Sequence, residues 1–150
     1  MTRVKFRQSG VTVIELLVLL VIVGILAGLV ISTHAGISQK ENNTARERDI
    51  DELRDELEAY YSRYNEYPTL AEVNDPGWRA DNMKGISREV LRDPSSGSYD
   101  LAAKPAKDVY AYTVTSASGK PCDNTKTICT QYTLTATLQG GGTYVKNNLN

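Results

Sequence analysis

A chain of 150 residues, 41% hydrophobic and 23% charged, has room for one compact domain plus one long appended element. Its formal net charge of −1 and the lack of any strongly basic stretch exclude a dedicated nucleic-acid binder. Two cysteines and a single histidine, His34, are too few and too scattered for a zinc site. The averages conceal segregation. Residues 1–10 carry Arg3, Lys5 and Arg7 and no acid. Glu41 to Glu66 holds nine acids against Arg46, Arg48, Arg54 and Arg63, a balance of −5, and from Leu101 onward five lysines face Asp108 and Asp123, a balance of +3.

From Val11 to Ile31 the chain is almost wholly apolar. As a helix this run spans roughly 30 Å, enough to cross a bilayer's hydrocarbon core. Its Val and Ile content would favour strands in water, but in lipid a helix satisfies every backbone group within one segment. Arg3, Lys5 and Arg7 would hold the N-terminal side in the cytoplasm. Gly24 and Gly28 form a GxxxG spacing that lets a neighbouring helix approach, a weak signal by itself. Glu15 is the unusual residue: an acid inside a span costs on the order of 2–3 kcal/mol unless it is partnered. It either snorkels to the near interface or awaits a positive group from another subunit, such as an α-amine four residues upstream. An ordinary secretory signal peptide has an apolar core of about 7–15 residues, shorter than this run, although Thr33-His34-Ala35 is a passable cleavage site. A plain single-pass anchor gives Gly10 and Glu15 no job.

Gly10 followed by Val11-Thr12-Val13-Ile14-Glu15-Leu16-Leu17 resembles the processing site of type IV pilins and pseudopilins. Those precursors have a short basic leader ending in Gly and a hydrophobic helix with Glu at its fifth position. The resemblance implies that a prepilin peptidase cuts between Gly10 and Val11 and methylates the new amine of Val11. It implies that Glu15 registers an incoming subunit by pairing with a neighbour's amine. The departure is Val11, where Phe is usual. The implied partners are other pilin subunits in a homo-oligomeric filament, the prepilin peptidase, an inner-membrane assembly platform, and membrane lipid before assembly. The implied location is the cytoplasmic membrane, as a single-pass precursor with its C-terminal domain outside, and then a cell-surface filament.

No proline interrupts the chain between Val11 and Pro68, so the helix is expected to continue outward. Ile50, Leu53, Leu57, Tyr60 or Tyr61, and Tyr64 recur at helical spacing and are expected to form a core stripe, with Arg54 and Glu58 paired at i and i+4 on the solvated side. Proline biases the preceding residue away from helix, so the end is expected just before Tyr67-Pro68. Asp75-Pro76-Gly77 and Asp93-Pro94-Ser95-Ser96-Gly97 read as turns around a short helix, Ile86 to Arg92. Strands are expected at Val109 to Thr115, at Gln131 to Leu138 with Tyr132, Leu134, Ala136 and Leu138 on one face, and at Thr143 to Lys146 after the Gly140-Gly141-Gly142 turn. If this region lies outside the cell, Cys122 and Cys129 are expected to form a disulfide stapling the loop between the first two strands.

The expected fold class is α+β: a long N-terminal helix, half membrane-spanning and half amphipathic, packed on a small antiparallel sheet in a pilin-like layout. The divisions are leader 1–10, filament-core helix 11–35, amphipathic continuation 36–66, connecting region 67–105 and C-terminal sheet 106–150. No catalytic constellation, cofactor motif or metal set is expected. The resemblance allows a calcium site at Asp93, Asp100 and Asp108, because some pseudopilins bind calcium near their sheets, but the spacing matches no calcium loop and the three read as solvated carboxylates. The acidic helix and basic sheet end suggest that adjacent subunits meet through complementary fields, with Asp51 or Glu52 and Lys126 as the residues to reverse. The function expected is a non-enzymatic subunit of a type IV pilus-like surface filament serving adhesion, twitching motility or DNA uptake. The alternatives are a pseudopilin of a type II secretion system acting as a short piston, towards which Tyr67-Pro68-Thr69 leans, and a single-pass anchored ligand-binding domain.

Overall fold

The computed structural model describes residues 12–149, with the side chains of residues 29–35 outside that description. The leader, Gly10 and Val11 fall outside the described residues, as does the side chain of His34. Helix α1 runs from Val13 to Tyr64 over 52 residues. It is followed by α2 (Leu70–Asn74), α3 (Pro76–Asn82), a 3-10 turn (Arg88–Leu91) and strands β1 (Ala111–Thr115), β2 (Gln131–Thr137) and β3 (Thr143–Asn147). The chain divides into two compact units, Met1–Ser38 and Gln39–Asn150.

In the second unit the three strands form an antiparallel sheet in the order β1-β2-β3. Ala111 pairs with Thr135 and Thr115 with Gln131; Thr133 pairs with Asn147 and Thr137 with Thr143. The expected α+β fold is what the chain adopts. Ile50, Leu53 and Leu57 are fully buried and share one core with Tyr112, Tyr132, Leu134 and Ala136 of the sheet. The periodicity identified these residues because one stripe of a helix and one face of a sheet each leave apolar surface that burial against the other removes from water. Val73, Met83, Val90, Leu91 and Leu101, from the connecting region, close the same core.

The helix ends at Tyr64, slightly before the expected boundary, because Asn65 adopts φ 57° and its N–H donates to the Tyr61 carbonyl at 2.7 Å. A left-handed residue after the last turn is the usual stop. Asp75-Pro76-Gly77, expected as a turn, instead starts α3. Asp75 caps it by accepting from the Trp78 N–H at 2.8 Å, and Pro76 takes the first helical position, where its missing donor costs nothing. The helix expected over Ile86 to Arg92 is reduced to the 3-10 turn Arg88–Leu91. The β2–β3 connection has three successive residues at positive φ, Gly140 (90°), Gly141 (109°) and Gly142 (89°), which side chains would strain.

Among the described residues no helix is long and apolar enough to cross a membrane. The span expected over residues 11–31 is therefore not confirmed; that run starts at Val11 and continues into residues 29–31, beyond the described side chains.

Candidate functional site

The first unit presents apolar side chains to every side of α1. Val13, Leu16, Leu17, Val18, Leu19 and Leu20 are each more than half exposed, and the pattern continues through Leu26. A helix that is hydrophobic all round is stable only when something apolar surrounds it. Gly24 and Gly28 have nothing within 4 Å of where a Cβ would stand, so their surface is open.

Glu15 sits in the first turn of this helix. The Thr12 N–H donates to Glu15 Oε2 at 3.4 Å and the Glu15 N–H donates to Thr12 Oγ1 at 3.4 Å. This reciprocal pair is a capping box, and it gives Glu15 a local task beside the inter-subunit one expected from sequence. The Thr-x-x-Glu spacing that signals it is visible in residues 12–15.

In the second unit, residues of α1 facing the sheet domain are polar as well as apolar. Arg46 is fully buried and makes a two-point pair with buried Asp93, Nε to Oδ2 at 2.6 Å and Nη2 to Oδ1 at 2.8 Å. Arg46 also donates to Asn43 Oδ1 at 3.0 Å and Ser95 Oγ at 3.1 Å. Its pKa is raised, chiefly by the hydrogen bond to Asp93, against the opposing effect of burial. Asp93, expected as a solvated carboxylate, is instead this buried partner and caps the Ser95 N–H at 2.8 Å. Asp108 stands 3.6 Å from the same guanidinium. Asn43 and Gln139 bond twice, Asn43 Nδ2 to the Gln139 carbonyl at 2.9 Å and the Gln139 N–H to Asn43 Oδ1 at 2.8 Å, which pins the end of β2 to the helix.

Further along, Asp49 accepts from the Tyr110 hydroxyl at 2.8 Å, and burial raises the Asp49 pKa more than that bond lowers it. Glu58, expected opposite Arg54, instead accepts from the hydroxyls of Tyr67 at 3.1 Å and Tyr132 at 2.8 Å. Arg54 turns to Asp55 at 2.8 Å and Asp51 at 3.8 Å. Asp51 in turn accepts from Tyr144 at 3.0 Å and pairs with Lys146 at 3.0 Å. Burial opposes ionisation of Asp51, but the Lys146 and Tyr144 bonds outweigh it and lower its pKa. Part of the charge complementarity expected between subunits is thus used inside one subunit.

Cys122 and Cys129 are disulfide-bonded, as expected, in the β1–β2 connection. The loop they close holds the exit of α1. The Tyr67 N–H donates to the Cys129 carbonyl at 2.8 Å and Asn124 Nδ2 donates to the Tyr67 carbonyl at 2.8 Å. Asp123 accepts the backbone N–H groups of Lys126, Thr127 and Thr125, which hold its carboxyl down to about 2. A surface groove of about 380 Å³ is lined by Arg79, Lys84 and Arg88 over Met83, Ile86 and Leu91. Among the described residues no three of His, Cys, Asp and Glu are placed to hold a metal ion.

The long-range polar contacts of the second unit leave no local signal in the sequence, because partners such as Arg46 and Asp93 lie 47 residues apart. Compared with known proteins, the chain is 32% identical over 106 residues to the type II secretion system core protein G of Aeromonas hydrophila, covering 65% of this chain and 74% of that protein. It is 29% identical over 119 residues to the core protein G of Dickeya chrysanthemi (71% and 77% covered) and 34% identical over 108 residues to that of Escherichia coli K12 (66% and 74%). No family model matches the chain, and no solved structure matches it significantly. With the long helix packed on a three-stranded antiparallel sheet and this identity over three quarters of the relatives' length, the chain belongs to the type II secretion system core protein G family of pseudopilins.

Proposed function

We infer that the chain is a structural, non-enzymatic subunit of a pseudopilin filament in a type II secretion apparatus, assembled side by side through the first half of α1. The observation that carries this reading is the continuous exposed apolar surface from Val13 to Leu26, broken by the one carboxylate of Glu15. Such a surface is stable in lipid before assembly and among identical helices afterwards. Of the two filament readings, the relatives named as secretion core proteins favour the pseudopilin over a displayed pilus. In this reading Gly10 and Val11 flank the processing cut, and the subunit waits in the cytoplasmic membrane with Gln39–Asn150 outside. It then joins other pseudopilins above an assembly platform.

The test is a strain lacking this chain, complemented with wild type or Glu15→Ala. Wild-type protein should have an intact mass reduced by residues 1–10 and should restore release of secreted proteins into the medium. Glu15→Ala should be processed but fail to restore release. Unprocessed wild-type protein, or secretion that is indifferent to its loss, would overturn the reading.

A further inference from the structure

The two edges of the sheet are finished differently. Outside β1 lies the segment around Ala102: its N–H donates to the Tyr110 carbonyl at 2.8 Å and its carbonyl accepts from the Tyr112 N–H at 2.9 Å. Thr113 Oγ1 adds a bond to the Ala103 carbonyl at 2.9 Å. β3 has no such cover among the described residues and pairs with β2 alone.

The β2–β3 ladder decides which backbone groups face outward. The Leu138 N–H donates to the Gly142 carbonyl at 3.0 Å and the Asn148 N–H to the Tyr132 carbonyl at 3.4 Å. Between these ends Tyr144 stands opposite Ala136 and Lys146 opposite Leu134. Antiparallel alternation therefore turns the backbone groups of Tyr144 and Lys146 towards β2 and those of Thr143, Val145 and Asn147 away from it. All three of the latter residues are exposed. Proteins usually blunt such an edge with proline, a bulge or an outward lysine. Thr143–Asn147 has no proline, its register is unbroken, and its one lysine, Lys146, is drawn back to Asp51 at 3.0 Å.

We propose that β3 is a docking edge for a second copy of this chain, pairing antiparallel with the same strand about Val145. The strand is self-complementary in that register. Val145, 44% exposed, meets Val145 of the partner subunit; Thr143 meets Asn147 of the partner subunit; and Tyr144 meets Lys146 of the partner subunit. No like charges are opposed, and each ammonium comes beside a phenol ring, the pairing it already makes within one chain at 4.9 Å. The outward groups of three residues on each strand supply up to about six hydrogen bonds. On the face away from the helix, the strand side chains Thr113, Thr133, Thr135, Val145 and Asn147 carry no charge, so those nearest the paired edges do not repel one another. Lys104 and Lys107 belong to the segment beyond the opposite edge, outside β1. This contact is two-fold and closes on itself, whereas side-by-side stacking of α1 in a filament is head-to-tail. It is a separate, weak, lateral contact and does not depend on the filament reading.

The test is cysteine cross-linking of the full chain, in membranes and in detergent, with Val145→Cys, Thr143→Cys and Asn147→Cys. Paired residues would lie about 5.5 Å apart between Cα atoms, within disulfide reach. Two copies of Thr143 would lie ~14 Å apart, beyond it. Val145→Cys alone, and Thr143→Cys mixed with Asn147→Cys, should form dimers at least ~10-fold faster than Thr143→Cys alone, because pairing raises the local concentration. Val145→Lys should suppress the mixed cross-link. Peptide mapping should find Cys122–Cys129 intact in the dimers. Equal rates at all three positions would mean collision only and would overturn the proposal, as would a mixed cross-link unaffected by Val145→Lys.

Discussion

Replacing Asp93 by alanine strips a fully buried guanidinium of its two-point partner. Arg46 would keep Asn43 Oδ1 and Ser95 Oγ, both neutral acceptors, and Asp108, 3.6 Å away with a side chain 32% exposed. Breaking a buried ion pair from one side costs about 3–5 kcal/mol, because the remaining charge stays desolvated. Asp108 can approach and take up part of that charge, which sets the expectation at the lower end, about 3 kcal/mol. For a unit of this size each kcal/mol lowers the midpoint of thermal unfolding by roughly 4 °C, so a fall of about 12 °C is expected. Circular dichroism melting of the processed protein in detergent at neutral pH would read it. The double replacement Arg46→Met with Asp93→Leu should recover more than half of the loss, since it removes both charges together. A fall of less than about 4 °C for Asp93→Ala, or a double variant no better than the single one, would refute the claim that charge burial governs this contact.

Glu15→Gln keeps a side chain able to close the box with Thr12 but removes the charge. It should leave helix content unchanged while impairing secretion as strongly as Glu15→Ala; normal secretion with Gln would reduce Glu15 to a capping residue. Burial pushes the Tyr60 hydroxyl up to about 12 and holds those of Tyr110, Tyr112 and Tyr132 well above their ordinary value. The folded state thus keeps protons that the unfolded chain releases from about pH 10, so stability should fall as pH rises through 10 to 12. The part of the phenolate absorbance that comes from these four tyrosines should then appear together with the loss of structure, and replacing any one of them by Phe should remove its share from that step. Asp123 is the opposite case: its carboxyl, depressed to about 2, contributes stability above the unfolded value of about 3.9 that is lost as pH falls to 2. Asp123→Ala should therefore differ from wild type at pH 5 and converge with it near pH 2, with the stability difference measured by urea titration.

Much of the architecture could be read directly from residue order. Ile50, Leu53 and Leu57 at helical spacing, and Tyr132, Leu134 and Ala136 at strand spacing, are buried where the periods place them. Burial of apolar surface is non-directional, so a local pattern suffices to say which face turns inward. The prepilin-like stretch from Gly10 to Leu17 and the cysteine pair carried the family resemblance and the disulfide in the same local way. Local order misled where one residue set serves two structures: Asp-Pro-Gly is both a turn and a helix start, and only the packing of Trp78 and Met83 beside the core selects the helix at Asp75. Polar partners were decided by the tertiary structure alone. Hydrogen bonds and ion pairs are directional and short-ranged, and nothing within a turn or two of Arg46, Glu58 or Asp51 announces Asp93, Tyr132 or Lys146. The same holds for the bare edge of β3, because a strand is an edge only once its neighbours have been placed.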